Sequence, residues 1–147
     1  MGKMKTYGFA ACILFAFLLI APASAQSDPC DRRDYDNVER RNCYSTEKSK
    51  VNAHIDSLVA KITADFRRDA EQLRRQGDDV VAQCELRAAS KVEQSQALWR
   101  KYRERHCGAI LESYTTGSGA GTAYEECEFR LGRERLKELR TSFPLGN

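Results

Sequence analysis

Between residues 51 and 73 the apolar side chains fall at Val51, Ile55, Leu58, Ile62, Phe66, Ala70 and Leu73, in steps of three and four. That spacing keeps one stripe on one side of a helix. Gln76-Gly77-Asp78-Asp79 then breaks the pattern. The glycine suits a left-handed stop, and an aspartate suits the cap of the next helix. A second stripe runs through Val81, Cys84, Ala88, Val92, Ser95, Trp99, Tyr102 and His106, and Cys107-Gly108 is read as its end. Residues 115–122, Thr-Thr-Gly-Ser-Gly-Ala-Gly-Thr, read as a flexible loop. A third helix carries Tyr124, Cys127, Leu131, Leu136 and Leu139 and stops at Ser142-Phe143-Pro144. Upstream, residues 26–45 are polar, with Asp28 and Pro29 set as cap and first-turn residue of a short helix. Strand-like alternation never lasts more than a few residues, so the pattern predicts an all-α fold.

Two long helices joined by a two- or three-residue turn lie antiparallel. With the third helix running back from the loop, the expected architecture is an antiparallel helical hairpin plus a third helix. Cys43, Cys107 and Cys127 then gather at one pole, and Cys84 lies near the other. On one continuous helix Cys84 and Cys107 would be about 34 Å apart, whereas a disulfide needs Cα atoms within roughly 7 Å. Cys84 is therefore the expected odd thiol, free or intermolecular. The favoured pairing of the rest is Cys107–Cys127 with Cys30–Cys43; Cys43–Cys107 with Cys30–Cys127 is the rival. Closing the Gly-rich loop would contribute about 3 kcal/mol through chain entropy.

The first 25 residues change the composition. Lys3 and Lys5 precede an apolar run from Phe9 to Ile20, and Ala23-Ser24-Ala25 forms an A-x-A site. This reads as a signal peptide cut after Ala25, since a membrane span needs about 20 apolar residues. Its removal takes two of the 24 basic residues and none of the 21 acids. The mature chain, residues 26–147, is then almost neutral, with as many charged residues as apolar ones. One domain with a thin core follows, of the kind that disulfides brace. An exported chain, secreted or periplasmic, has the oxidising surroundings for them.

The stretch Gln96-x-x-Trp99-x-x-Tyr102-Arg103-x-x-x-Cys107, the Gly117-Ser118-Gly119 loop, and Cys127-x-x-x-Leu131-x-x-x-Arg135-x-x-x-Leu139 resemble the lysozyme inhibitor LprI family of small exported helical domains. The likeness spans about residues 30–140, and Cys30 and Cys43 sit where that family places its first cysteine pair. Glu104, Gly132 and Asp56 depart from the usual residues, and Cys84 is extra. The resemblance implies a non-catalytic protein that binds and blocks a muramidase.

Candidate chemistry is otherwise sparse. Trp99 and Tyr102 are read as core aromatics, with an exposed anchor for a partner as the alternative. Gln96 is expected to bond to backbone of the N-terminal segment, and Arg103 and Arg135 to acids on neighbouring helices. His54 and His106 are the only histidines, and neither belongs to a metal-ligand spacing. No cofactor and no metal is expected, and no C-x-x-C marks a thiol enzyme. The basic C-terminal half, from Arg100 to Arg140, is interrupted by glutamates and reads as solvated helix faces rather than a nucleic-acid surface. The expected partner is a protein, a lysozyme in the first reading, contacted through Thr115, Thr116, Gly117, Ser118, Gly119 and Thr122. Those hydroxyls suit the two carboxylates of a glycosidase cleft. The alternative is an envelope or protein-binding module without lysozyme inhibition, able to dimerise through Cys84. No membrane anchor is expected after cleavage.

Overall fold

A computed structural model describes residues 28–114, 117 and 119–144. Residues 1–27, which include the segment read as a signal peptide, and Thr115, Thr116, Ser118 and residues 145–147 lie outside the described residues. Three helices make up the fold: α1 (Asn37–Arg75), α2 (Asp79–Ser113) and α3 (Ala120–Ser142). No strand occurs among the described residues, so the architecture is the expected all-α hairpin plus third helix.

Local chemistry sets the helix ends. The Asp36 carboxylate accepts from the backbone N–H of Val38 and Glu39, while Glu39 accepts from the Asp36 N–H at 2.9 Å. This reciprocal box starts α1 at Asn37. The short helix expected at Asp28-Pro29 is a turn instead. Asp28 accepts from the Cys30 N–H at 2.9 Å and from the Tyr44 hydroxyl at 3.0 Å, so it anchors the turn to α1. At the far end Gly77 has φ 83°. The Gly77 N–H reaches the Arg74 carbonyl and the Asp78 N–H reaches the Leu73 carbonyl, each at 3.0 Å, which closes a Schellman turn. Asp78 then accepts from the Val81 N–H at 3.1 Å and caps α2.

The third helix runs parallel to α1 and antiparallel to α2. Thr122 donates to the Asn37 carbonyl at 3.0 Å, Gly132 meets Val51, and Phe143 meets Phe66 edge-on. Because α3 stops level with Phe66, the last turns of α1 and the first of α2 form a bare hairpin tip. The main core joins Ile55, Ile62, Val92, Leu136 and Leu139, with Trp99, Phe66 and Phe143 packed against it. The α1 stripe from Val51 to Leu73 faces inward as expected, with Ile55, Ile62 and Ala70 fully buried.

The α2 stripe is rotated from its expected register. Its buried residues are Ala82, Ala89, Val92, Gln96 and Cys107, whereas Val81, Cys84, Tyr102 and His106 are exposed. The helix also passes Cys107-Gly108 and ends at Ser113. Gly108 is tolerated there because Ile110 packs against the Cys107–Cys127 cluster and holds another turn in place. The two disulfides join Cys30 to Cys43 and Cys107 to Cys127, with Cα separations of 5.7 Å in each, and Cys84 is free and exposed.

Candidate functional site

The motif residues of α2 and α3 divide into an inward set and an outward one. Gln96, Trp99 and Arg103 lie three and four residues apart, so one side of α2 presents all three to α3. Arg135 answers from α3. Its Nε donates to Gln96 Oε1 at 3.2 Å, its Nη2 to Ser95 Oγ at 3.2 Å and its Nη1 to Glu138 at 2.9 Å. The guanidinium of Arg103 lies 4.6 Å from the Trp99 ring centre, and that of Arg135 lies 5.9 Å from it. Two guanidinium groups thus rest on one indole, with the ring quadrupole facing the positive charge.

Arg103 also ties the three helices together. Its Nη1 donates to Asn52 Oδ1 of α1 at 2.6 Å, and its Nε faces Glu128 of α3 at 3.5 Å, an ionic contact longer than a hydrogen bond. The Arg103 and Glu128 side chains are only 11% and 8% exposed. A charge that deep needs a partner, because burying it alone costs several kcal/mol. Glu128 and Asn52 were missed in the sequence. Glu128 was legible in principle, since Glu128, Leu131, Arg135 and Leu139 form one stripe of α3 at helical spacing. Arg103, Glu128 and Arg135 are therefore interior groups and not part of a solvated surface. Gln96 bonds to Arg135 and not to the N-terminal segment, because the rotated register of α2 aims it at α3. Leu131 and Leu139 are core residues beside them.

Tyr102 is the outward motif residue. It is 53% exposed and stacks on His106 with ring centres 5.5 Å apart, so the expected core placement does not hold. Rotation of α2 by about one residue, driven by the Gln96–Arg135 contact and the Cys107 bridge, carries it to the surface. Leu98 stands one turn earlier and is also exposed.

At the opposite pole from the hairpin tip, the Cys107–Cys127 bridge joins the last turns of α2 to the first turns of α3. Leu111 and Tyr114 are exposed beside the connection, and Gly119 lies against the Tyr114 ring. Gly117 is exposed. Thr122 is not a free contact residue: it is 7% exposed, sits in the first turn of α3 and spends its hydroxyl on Asn37. Burial raises the Tyr44 and Tyr124 phenols above their ordinary value; the Asp28 hydrogen bond adds to the effect at Tyr44, and the Glu128 charge adds to it at Tyr124.

No group of three or more His, Cys, Asp or Glu side chains suited to a metal ion occurs among the described residues. No helix among them is long and apolar enough to cross a membrane. No curated protein and no solved structure matches the chain significantly. One family model does, that of lysozyme inhibitor LprI, over residues 30–139. The match runs from the first disulfide cysteine to the last core leucine of α3, and so takes in both bridges and the Arg–Trp–Arg contact that joins the helices. The chain belongs to the lysozyme inhibitor LprI family.

Proposed function

We propose that the protein is an exported, non-catalytic inhibitor that binds a lysozyme-type muramidase and covers its cleft. Family membership over residues 30–139 is the observation that carries the reading. Two disulfides suit an extracytoplasmic location, in line with the leader-like first 25 residues. The contact surface is the segment between Tyr114 and Gly119, with Leu111 and Tyr114 as an apolar shoulder. The Cys107–Cys127 bridge supports this choice, because it holds together the two helix ends that flank the segment. The hydroxyls of Thr115, Thr116 and Ser118 supply hydrogen bonds for the acid and nucleophile carboxylates of the enzyme.

The mature chain is almost neutral, so it exerts little long-range pull on a basic enzyme. Affinity then comes from short-range contact and should vary little with salt. The test is lysis of a cell-wall suspension by a lysozyme, followed by turbidity, with the mature oxidised protein added. Inhibition that saturates with dose, and weakens on Tyr114→Ala, supports the reading. Undiminished lysis at large molar excess refutes it.

The exposed thiol of Cys84, on the bare hairpin tip, favours a second property, a covalent dimer joined there. A non-reducing gel of wild type against Cys84→Ser decides it, and identical monomer bands rule it out.

A further inference from the structure

A groove of about 850 Å³ runs between α1 and α3, outside the contacts that hold the bundle together. Its two halves differ in charge. Asp28, Glu47 and Glu126 line the end near the Cys30–Cys43 bridge. Asp28 is committed to Cys30 and Tyr44, and Glu47 to Lys50 at 2.6 Å. The other half holds Arg133, Lys137 and Arg140, at positions i, i+4 and i+7 of α3, opposite His54 of α1. Helical spacing puts the three cations in one row. Lys137 and Arg140 enter no ion pair among the described residues, and the one acid beside them in the groove, Glu134, is paired with Arg130 at 3.1 Å. Val51 and Leu136 give this half an apolar floor, and the hydroxyl-bearing Thr141 closes the lining.

We propose that the basic half of the α1–α3 groove binds a strand of anionic polysaccharide. From Arg133 to Thr141 the basic half of the α3 wall is about 12 Å long, and the groove is open to solvent, which suits a stretch of extended chain better than a compact ligand. Lys137, Arg140 and Arg133 receive the anionic groups, and the apolar faces of the sugar rings lie on Val51 and Leu136. A peptide strand fits less well. Both walls are helices whose backbone groups are already bonded within the helix, so a peptide main chain would find few partners for its own N–H and C=O groups. A second copy of this chain is disfavoured: with like halves facing, the basic rows would repel, and turned end for end the row would meet acids of which Asp28 is bonded to Tyr44 and Glu47 to Lys50.

The inference does not rest on lysozyme inhibition, and its test separates the two. The mature oxidised protein is titrated at low ionic strength with polygalacturonate, with uncharged dextran and with poly-L-glutamate. Binding to polygalacturonate alone is expected. Lys137→Glu/Arg140→Glu should weaken it by about tenfold or more. Lys101→Glu/Arg105→Glu, an equal charge change on α2 outside the groove, should weaken it less than about twofold. All four positions are exposed, and circular dichroism confirms that each variant keeps its fold. Absence of polygalacturonate binding by the wild type overturns the proposal, as does equal loss from the two double variants. Equal binding of poly-L-glutamate through the same two residues overturns it in favour of an acidic polypeptide. The groove variant should still inhibit lysozyme if the wild type does.

Discussion

Replacing Arg103 by methionine tests whether the interior ion pair holds the three helices together. Methionine keeps most of the side-chain length and its contact with Trp99 but removes the charge. Glu128, at 8% side-chain exposure, is then left in the interior without its cation. The cost of stranding one member of a buried pair is about 3–5 kcal/mol. Two smaller losses add to it. The Asn52 amide loses its 2.6 Å donor, but Asn52 is half-exposed and water can replace the guanidinium. Methionine still packs on Trp99, but the attraction of the guanidinium charge to the ring is lost, worth about 0.5–2 kcal/mol when partly desolvated. For a folded unit of this size each kcal/mol moves Tm by about 4 °C, so the summed loss of about 3.5–7 kcal/mol should lower Tm by roughly 14–28 °C in Arg103→Met. The decisive arm is the double variant Arg103→Met/Glu128→Met. With both charges gone the site becomes apolar, and such replacements are often neutral. The double variant should therefore recover at least half of the Arg103→Met loss, a coupling of at least about 2 kcal/mol in a double-mutant cycle. Urea unfolding followed at 222 nm reads all four corners of the cycle. Additive losses, or a single-variant loss below about 1 kcal/mol, would show that Arg103 is only a surface cation in a shallow recess.

Alkaline pH should destabilise the protein through Tyr44. Its phenol is raised above the ordinary 10.0, first by burial and then by the Asp28 hydrogen bond. The folded form therefore holds the proton more tightly than the unfolded chain, so this contribution is complete below pH 10 and is lost as pH rises above it. Tyr44→Phe should flatten the alkaline fall of Tm, and an unchanged slope would contradict the burial argument. Gly132→Ala adds a Cβ 3.0 Å from Val51 Cγ1, which outweighs the gain in helix propensity and lowers Tm. In a Val51→Ala background the same change should raise Tm; a fall in both backgrounds would mean the close approach is not the cause. Cys107→Ser/Cys127→Ser opens a 20-residue separation and should cost about 3 kcal/mol in urea unfolding, with a loss below about 1 kcal/mol counting against the chain-entropy account.

Much of the architecture could be read from the residues, and the reason is local. The α1 stripe, the Gly77 stop and the Asp78 cap are each decided within a few residues of chain, by helical period, by the left-handed backbone of glycine and by a carboxylate near free N–H groups. Cysteine positions also carried far, because helix length alone keeps Cys84 out of reach of Cys107. The register of α2 was another matter. Tyr102 and Gln96 both fit a helical stripe, and apolarity favours the tyrosine. The structure buries the glutamine, since Arg135 needs an acceptor and the Cys107 bridge fixes the rotation of that helix. Glu128, Asn52 and Arg103 lie far apart in the chain and become one unit only when three helices meet. The α1–α3 groove arises in the same way, from two walls more than seventy residues apart in sequence. Helical period, turn chemistry and the reach of a disulfide are properties of short segments, and the order of residues settled them. Which polar groups were to be buried depended on partners supplied by other helices, and only the assembled bundle could choose.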